Sequence, residues 1–198
     1  MTTSPPDTPA PVTGATWGDL LARVDVAEEC VLGSTFGFMA FHGGVEAGTL
    51  PIARAAAEVA GASYYTVDQP AHLRWHVPSA LVDPARSLLL RRFLDHVDVV
   101  VALHGYGRRS RPYDVLIGGA NRPLAGLFAG EVRRRCVGLV AIDDIGAIPS
   151  NLRGMHPANP VNRPVNAGIQ VELPVRARVK PLSIRVVEAL AATARRWE

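Results

Sequence analysis

Two hydrophobic patterns alternate along the chain. Continuous apolar runs, typical of strands buried on both faces of a sheet, are separated by stretches in which apolar residues recur with the period of a helix. The runs predict strands over 34–41 (STFGFMAF), 62–68 (ASYYTVD), 98–105 (DVVVALHG), 114–121 (DVLIGGAN), 136–142 (CVGLVAI) and 169–175 (IQVELPV). The helical stretches are 16–24, 46–61, 83–97, 122–135 and 181–197. This alternation predicts a three-layer α/β sandwich with a mixed, largely parallel sheet.

Three segments fall outside this alternation. Residues 1–15 are polar and proline-rich and predict a disordered tail, which leaves residues 16–198 as a single α/β domain. Residues 69–84 contain three prolines and predict a loop with one short strand. The Gly/Pro/Asn-rich stretch 146–168 predicts a loop longer than the usual limit of about 15 residues, which hints at a function.

Composition narrows the function classes. A net charge of +3 permits an acidic ligand but does not predict nucleic-acid binding. No apolar run approaches the roughly 18 residues that span a membrane, and the N-terminus lacks the basic start and apolar core of a signal peptide. Cys30 and Cys136 stand far apart and are predicted to be reduced, buried thiols. The chain is therefore expected to be cytoplasmic, with its oligomeric state open.

Polar residues end or interrupt three of the apolar runs. His42 follows the first run, His104 ends the third, and Glu172 lies in the last. Ligands of α/β proteins bind beyond the carboxyl ends of the strands, where these side chains are expected to meet. A structural strand end seldom needs an ionisable group, so the three residues together indicate a site.

The segment HGGVE suggests a metal. The Gly43–Gly44 pair allows a backbone turn sharp enough to bring Glu46 back to His42, and His104 would complete a His₂Glu set typical of catalytic zinc. Glu172 would then be the general base. Each residue alone has a simpler interpretation: His42 as a turn residue, Glu46 as a carboxylate at a helix N-terminus, and His104 as a hydrogen-bonded strand end.

Several short motifs, in one order, resemble the poly-γ-glutamate hydrolase family. They are AFHGGVEAGTLPIA, VVALHGYG, VLIGGAN, NPVNRPVNAGIQVEL and PVRAR, and the likeness runs from about Phe36 to Arg178. The resemblance implies a zinc carboxypeptidase-like fold and hydrolysis of a γ-glutamyl amide bond at Zn²⁺. It also implies that His42, Glu46 and His104 are ligands and that Glu172 is catalytic. HGGVE is one residue shorter than the same motif in many members.

Candidate substrate-binding residues lie near these motifs. Arg163 and Arg178 flank the Glu172 strand and are predicted to bind substrate carboxylates, because arginine contacts a carboxylate through two nitrogens. Surface arginines that cover apolar area are the alternative. His76 is predicted to lie in the pocket wall, as a similar histidine does in the family, although a metal pair with His72 is the competing interpretation. The run GRRSR, 107–111, either lines the pocket rim or is a solvated loop.

Three functions remain open from the sequence. The first is a zinc-dependent amidohydrolase of γ-glutamyl bonds, with a polyglutamyl substrate. The second is an intracellular amidohydrolase of small N-acylated amino acids, which suits the missing secretion signal. The third is a non-catalytic module that binds acidic ligands or a partner protein.

Overall fold

A seven-stranded mixed sheet forms the centre of the protein. The computed structural model describes residues 16–197. Its strands are β1 (Ala27–Val31), β2 (Ser34–Ala40), β3 (Ala62–Asp68), β4 (Val99–Tyr106), β5 (Asp114–Ile117), β6 (Val140–Ile142) and β7 (Gly168–Pro174). Its helices are α1 (Trp17–Leu21), α2 (Thr49–Ala60), α3 (Leu88–His96), α4 (Arg122–Arg135) and α5 (Leu182–Trp197). The strand order is β1-β3-β2-β4-β7-β5-β6.

The four central strands β3, β2, β4 and β7 are parallel to one another. Strand β1 is antiparallel to β3, and β5 is antiparallel to β7. The predicted mixed, largely parallel α/β sheet is therefore confirmed. The order also brings the ends of β2, β4 and β7 side by side, although β7 lies about sixty residues after β4 in the chain.

Helices cover both faces of the sheet. One core joins α2, α4 and α5 to side chains such as Phe38, Leu103 and Val171. The other joins α1 and α3 to side chains such as Met39 and Phe41 on the opposite face. Alternate strand residues point to opposite faces, so the continuously apolar runs fill both cores at once, as three layers require.

Some predicted elements have different limits. Strand β1 is missing from the sequence prediction. Pro84 begins a separate 3₁₀ turn rather than the third helix, which starts at Leu88 with Ser87 as its N-cap. Residues 69–84 contain no strand within the described chain, only an isolated bridge at Trp75 and 3₁₀ turns. The predicted buried strand 136–142 shortens to the edge strand β6, in which Val140 is exposed.

The two cysteines are free, as predicted, but only Cys136 is buried, whereas Cys30 is partly exposed on β1. Residues 1–15, predicted to be a disordered tail, lie outside the described residues. Across 16–197, the helices are all too short or too polar to cross a membrane.

A buried carboxylate ties α4 to α5, and it predicts an acid-sensitive contribution to stability. Glu131 is 1% exposed and accepts hydrogen bonds from Arg134 and Arg135 of α4 and from Arg196 of α5. Burial raises its pKa, but these three arginines outweigh the burial and lower the pKa to about 2, from a usual 4.5. Because the folded pKa is the lower one, this stabilisation is complete above about pH 4.5 and is lost as the pH falls towards 2.

Replacing Glu131 with Gln is therefore expected to lower the free energy of unfolding at pH 7 by about 1–2 kcal/mol, since the arginines are partly solvated. Urea unfolding of both proteins from pH 7 to pH 3 measures the difference, which is expected to shrink in the acid range. The control is Glu58→Gln, which changes an exposed carboxylate of α2 that forms no ion pair among the described residues. If the difference in the free energy of unfolding stays constant with pH, the lowered pKa of Glu131 does not contribute to stability as described.

Candidate metal centre

Three neighbouring strands deliver ionisable side chains to one edge of the sheet. His42 follows the end of β2, His104 lies near the end of β4, and Glu172 lies on β7. His104 and Glu172 are direct partners in the parallel register of β4 and β7. All three side chains are buried, with exposures between 2% and 4%. The sequence prediction that these residues meet at the carboxyl ends of the strands is confirmed.

The turn after β2 requires its two glycines. Gly43 donates its N–H to the Val67 carbonyl at 3.0 Å, which presses the backbone against the end of β3. Gly44 has a φ of 79°, and a Cβ there would lie 1.8 Å from the Gln69 carbonyl oxygen. The N–H of Glu46 then donates to the His42 carbonyl at 2.9 Å. The short HGGVE motif therefore still returns the Glu46 carboxylate to His42.

His42, Glu46 and His104 form one compact cluster. The His42 Nδ1 lies 2.9 Å from Glu46 Oε1 and 3.2 Å from His104 Nδ1, and His104 Nδ1 lies 3.4 Å from Glu46 Oε2. Ligands held 2.0–2.1 Å from a tetrahedral ion are roughly 3.3 Å apart. The separations and the N,N,O donor set therefore fit a zinc-sized cation.

Neighbouring groups orient these side chains. His42 Nε2 contacts the Val77 carbonyl at 2.8 Å, and a proton on Nε2 leaves the Nδ1 lone pair directed at the cluster. The Gly105 N–H donates to Glu46 Oε2 at 3.0 Å. Within residues 16–197, the buried His104 Nε2 has no hydrogen-bond partner. Two of the three candidate ligands are thus held by the backbone.

The cluster has the electrostatics of a cation site. Burial lowers the pKa of His42, although the Glu46 carboxylate opposes this. Burial raises the pKa of Glu46, but the charges of His42 and His104 outweigh it and hold this pKa well below its usual range. Burial lowers the pKa of His104, but the Glu46 carboxylate outweighs it and raises this pKa. A buried carboxylate therefore attracts positive charge to the space between the histidines.

A chain of buried amides reaches Glu172. Asn159 Nδ2 donates to Gln170 Oε1 at 2.9 Å, and Gln170 Nε2 donates to Glu172 Oε1 at 2.9 Å. Burial raises the pKa of the Glu172 carboxyl to about 7. Sequence analysis missed Gln170 and Asn159 as site residues. The available signal was the spacing QxE, because residues two apart on a strand share a face.

The cluster and Glu172 open into a cavity of about 260 Å³. One wall comes from the loop around His76 and Pro78, and the other from Ser150 to Asn159. The long loop predicted to have a function therefore forms part of the site. Among the described residues, no lysine or arginine lines this cavity.

The three predicted substrate residues lie in different places. His76 lines the cavity, with its Nε2 3.3 Å from Glu46 Oε1 and its ring centroid 4.3 Å from that of His42. The competing partner His72 is exposed and outside the cavity. Arg163 is also exposed and outside it, and its Nε donates to the Ala158 carbonyl at 3.4 Å.

Arg178 lies behind the cluster rather than in the cavity. Its Nη1 donates to the Ala47 carbonyl at 2.6 Å, and its Nη2 donates to the Tyr106 carbonyl at 3.2 Å. A Cβ on Gly105 would lie 2.7 Å from the guanidinium carbon, so that glycine makes room for it. Burial lowers the pKa of Arg178, against the opposing charges of Glu46 and Glu172. Arg178 thus joins the two segments that carry Glu46 and His104.

An Arg178→Lys substitution tests this placement. Lysine keeps the charge but cannot reach both carbonyls, so the free energy of unfolding is expected to fall by about 1–3 kcal/mol and metal affinity about 10-fold. Urea unfolding and zinc titration measure the two effects, with Arg91→Lys on α3, an exposed arginine outside the cavity, as the control. A raised KM with unchanged stability and metal affinity would instead support the substrate contact predicted from the sequence.

The fold and the site define a class of protein: an α/β sandwich with a candidate metal centre and an adjacent carboxyl group of near-neutral pKa, as in metal-dependent hydrolases. The family model described as poly-gamma-glutamate hydrolase matches residues 22–190. The chain therefore belongs to the poly-γ-glutamate hydrolase family and is a hydrolase of amide bonds. The family resemblance of the sequence motifs is confirmed.

Solved structures share the fold. A bacteriophage poly-gamma-glutamate hydrolase matches with a TM-score of 0.74 and 21% identity, covering 88% of this chain and 90% of that one. A zinc-free form of YNDL matches with a TM-score of 0.71 and 18% identity, covering 86% and 90%. The N-acetylmuramoyl-L-alanine amidase AmiC2 of Nostoc punctiforme matches with a TM-score of 0.51 and 14% identity, covering 84% and 98%. Curated protein sequences contain no match to the chain.

Proposed function

We propose that this protein is a zinc-dependent hydrolase of γ-glutamyl amide bonds. The observation that carries the proposal is the buried cluster of His42, Glu46 and His104, whose three ligand atoms lie within 4.8 Å of one another. Nitrogen and carboxylate ligands in this number suit catalytic zinc, which keeps one position open. Membership in the family supplies the amide bond, and a structural neighbour is described as zinc-free.

Glu172 is the proposed general base and acid. A zinc ion held by the three ligands would lower the pKa of a bound water and polarise the substrate carbonyl. Glu172 takes a proton from the attacking water and returns it to the departing amine nitrogen. A carboxyl group with a pKa of about 7 can do both near neutral pH, because neither the charged nor the protonated form is strongly favoured. Gln170 holds Glu172 Oε1 in place by its hydrogen bond.

Substrate contacts are proposed for His76, Arg163 and Arg178. Of the three residues, His76 has the strongest structural support as a substrate contact, because its side chain is about one-third exposed in the cavity wall and also contacts Glu46. Its imidazole is proposed to hydrogen-bond the substrate carbonyl or carboxylate. A contact from Arg163 requires a substrate that extends outside the cavity, and one from Arg178 requires that it exchange a backbone carbonyl for a carboxylate.

Metal analysis joined to an activity assay tests the proposal. After purification with zinc, about one zinc ion per chain is expected, as one three-ligand site predicts. Chelation is expected to abolish hydrolysis of poly-γ-glutamate, and added zinc is expected to restore it. Absence of bound zinc after a zinc-replete preparation would favour the non-catalytic module that binds acidic ligands.

A second candidate is hydrolysis of small N-acylated amino acids. The cavity of about 260 Å³, with no lysine or arginine in its described lining, favours a compact substrate. This candidate also suits the cytoplasmic location, which stays a prediction. The ratio of kcat/KM for the polymer and for short acylated amino acids separates the two.

A further inference from the structure

A second concavity lies beside the metal centre. It has a volume of about 370 Å³ and is here called the arginine groove, with Tyr106, Arg108, Arg109, Pro174, Arg176 and Val179 as its defining residues. The family assignment and the proposed mechanism leave it without a role. It contains two arginines of the GRRSR run, for which the sequence left a pocket rim and a solvated loop as alternatives.

The strands place the groove next to the catalytic cavity. Tyr106 follows His104 by two residues on β4, and Pro174 follows Glu172 by two residues on β7. Residues two apart on a strand point to the same side and are separated by roughly 6–7 Å. Tyr106 and Pro174 are also register partners, as are His104 and Glu172. Residues of the cavity and of the groove therefore lie at successive positions along the same two strands.

A direct hydrogen bond also links the two concavities. Arg108 Nη2 donates to Asn151 Oδ1 at 2.9 Å, and Asn151 lines the catalytic cavity. Arg108 consequently lies at the boundary between the cavity and the groove. A substrate that leaves the cavity in this direction meets its guanidinium first.

The groove has positive charge without nearby neutralisation. Its described lining contains Arg108, Arg109 and Arg176 but no acidic residue, and within residues 16–197 none of the three forms an ion pair. Arg111 of the same run, by contrast, pairs with Asp114 at 3.1 Å. Arg176 stacks on the Tyr113 ring at 4.0 Å, which orients the guanidinium but leaves its N–H edge available.

The groove also has apolar surface. Val175 and Val179 line it and are 58% and 55% exposed. A γ-linked glutamate chain presents the matching chemistry, because each repeat carries one free carboxylate and two methylene groups. Each repeat extends the chain by roughly 6 Å, similar to the roughly 6–7 Å that separates His104 from Tyr106 along β4. The carboxylate of the next repeat, beyond the two residues that the scissile bond joins, would therefore reach the arginines.

We propose that the arginine groove binds the carboxylates of a γ-linked polyglutamate chain beyond the scissile bond. This inference rests on the proposed function and deepens it. The groove makes a polymer, rather than a small N-acylated amino acid, the preferred substrate, and it supplies the cations that the catalytic cavity lacks.

A triple variant with Arg108→Ala, Arg109→Ala and Arg176→Ala tests the groove. The first assay measures kcat/KM on poly-γ-glutamate and on a γ-glutamyl dipeptide, which is too short to reach the groove. The second assay measures, by fluorescence anisotropy, the binding of a labelled γ-linked glutamate oligomer to the zinc-loaded protein. Arg92→Ala on α3 is the control, since it removes one exposed arginine beside Leu32 at the opposite edge of the sheet.

The triple variant is expected to bind the oligomer about 10-fold more weakly or worse, with a matching loss of kcat/KM on the polymer. Turnover of the dipeptide and the thermal midpoint are expected to stay unchanged. Unchanged oligomer binding would overturn the proposal, as would tighter binding of a single-stranded oligonucleotide of equal charge.

The binding assay needs no turnover, so it tests the groove independently of the proposed hydrolysis reaction. Suppose that the triple variant loses oligomer binding while the unmodified protein hydrolyses neither the polymer nor the dipeptide. This result would reject the proposed reaction and still support the groove. Hydrolysis of the polymer with equal efficiency by both proteins would support the reaction and reject the groove.

Discussion

An His104→Ala variant is expected to lose metal binding and hydrolysis together. Only two of the three proposed ligands remain, so zinc affinity is expected to fall at least about 100-fold, beyond the usual effect of removing a group that only orients a ligand. Loss of the ion removes several kcal/mol of stabilisation from the transition state, so kcat/KM is expected to fall more than about 1,000-fold. Zinc titration by calorimetry and the hydrolysis assay measure the two effects.

Because His104 is buried, the fold of this variant must be checked by its thermal midpoint. His104→Gln fills more of the space and is expected to show the same loss. His72→Ala, which alters an exposed histidine outside the cavity, is the matched control and is expected to resemble the unmodified protein. Stoichiometric zinc retained by both His104 variants would remove His104 from the ligand set.

The Glu172→Gln variant is expected to keep zinc and lose turnover. Glutamine has nearly the same shape and can still accept the hydrogen bond from Gln170, but it cannot accept and return a proton. Loss of a general acid–base group lowers kcat by about 10²–10⁴-fold, with little change in KM if the substrate is held elsewhere. Single-turnover kinetics measure the rate of the chemical step, and zinc titration measures the metal affinity.

The same chemical change at Glu46 provides the contrast. Glu46→Gln removes a candidate ligand and is expected to weaken zinc binding, whereas Glu172→Gln is expected to leave it unchanged. An active Glu172→Gln enzyme would end its proposed role. Loss of zinc from that variant would instead make Glu172 part of the ligand set.

The sequence predicted best where an element depends on its own residues. Helix α4 begins and ends where its periodicity does, with Asn121 as N-cap and Pro123 in the first turn. The apolar run of β4 is buried from Val99 to His104 because both faces of that strand are covered. The residues within these elements are sufficient to predict them.

Strand β1 depends on distant contacts instead. Its sequence AEECV has two glutamates and no apolar run, so no strand was predicted. In the fold, Glu29 accepts a hydrogen bond from Tyr64, and Glu28 accepts one from Tyr65 at 2.5 Å. These partners lie more than thirty positions away, and no local pattern contains them.

The site shows the same division. His42, His104 and Glu172 were predicted because each interrupts or ends an apolar run. Asn159 was not, because its contact with Gln170 depends on how the loop 146–168 folds against β7. The position of Arg178 likewise follows from the space left by Gly105, which the spacing of arginines cannot reveal.

The pairing of β7 bears on how the protein would respond to a change of metal. Glu172 is fixed through backbone register with His104 on one side and Leu116 on the other, while its side chain is held by Gln170. None of these contacts involves the proposed ion. Exchange of zinc for cobalt would therefore leave the carboxyl group where it is, and a cobalt-substituted protein would serve as a coloured reporter of substrate and inhibitor binding in an otherwise unchanged site.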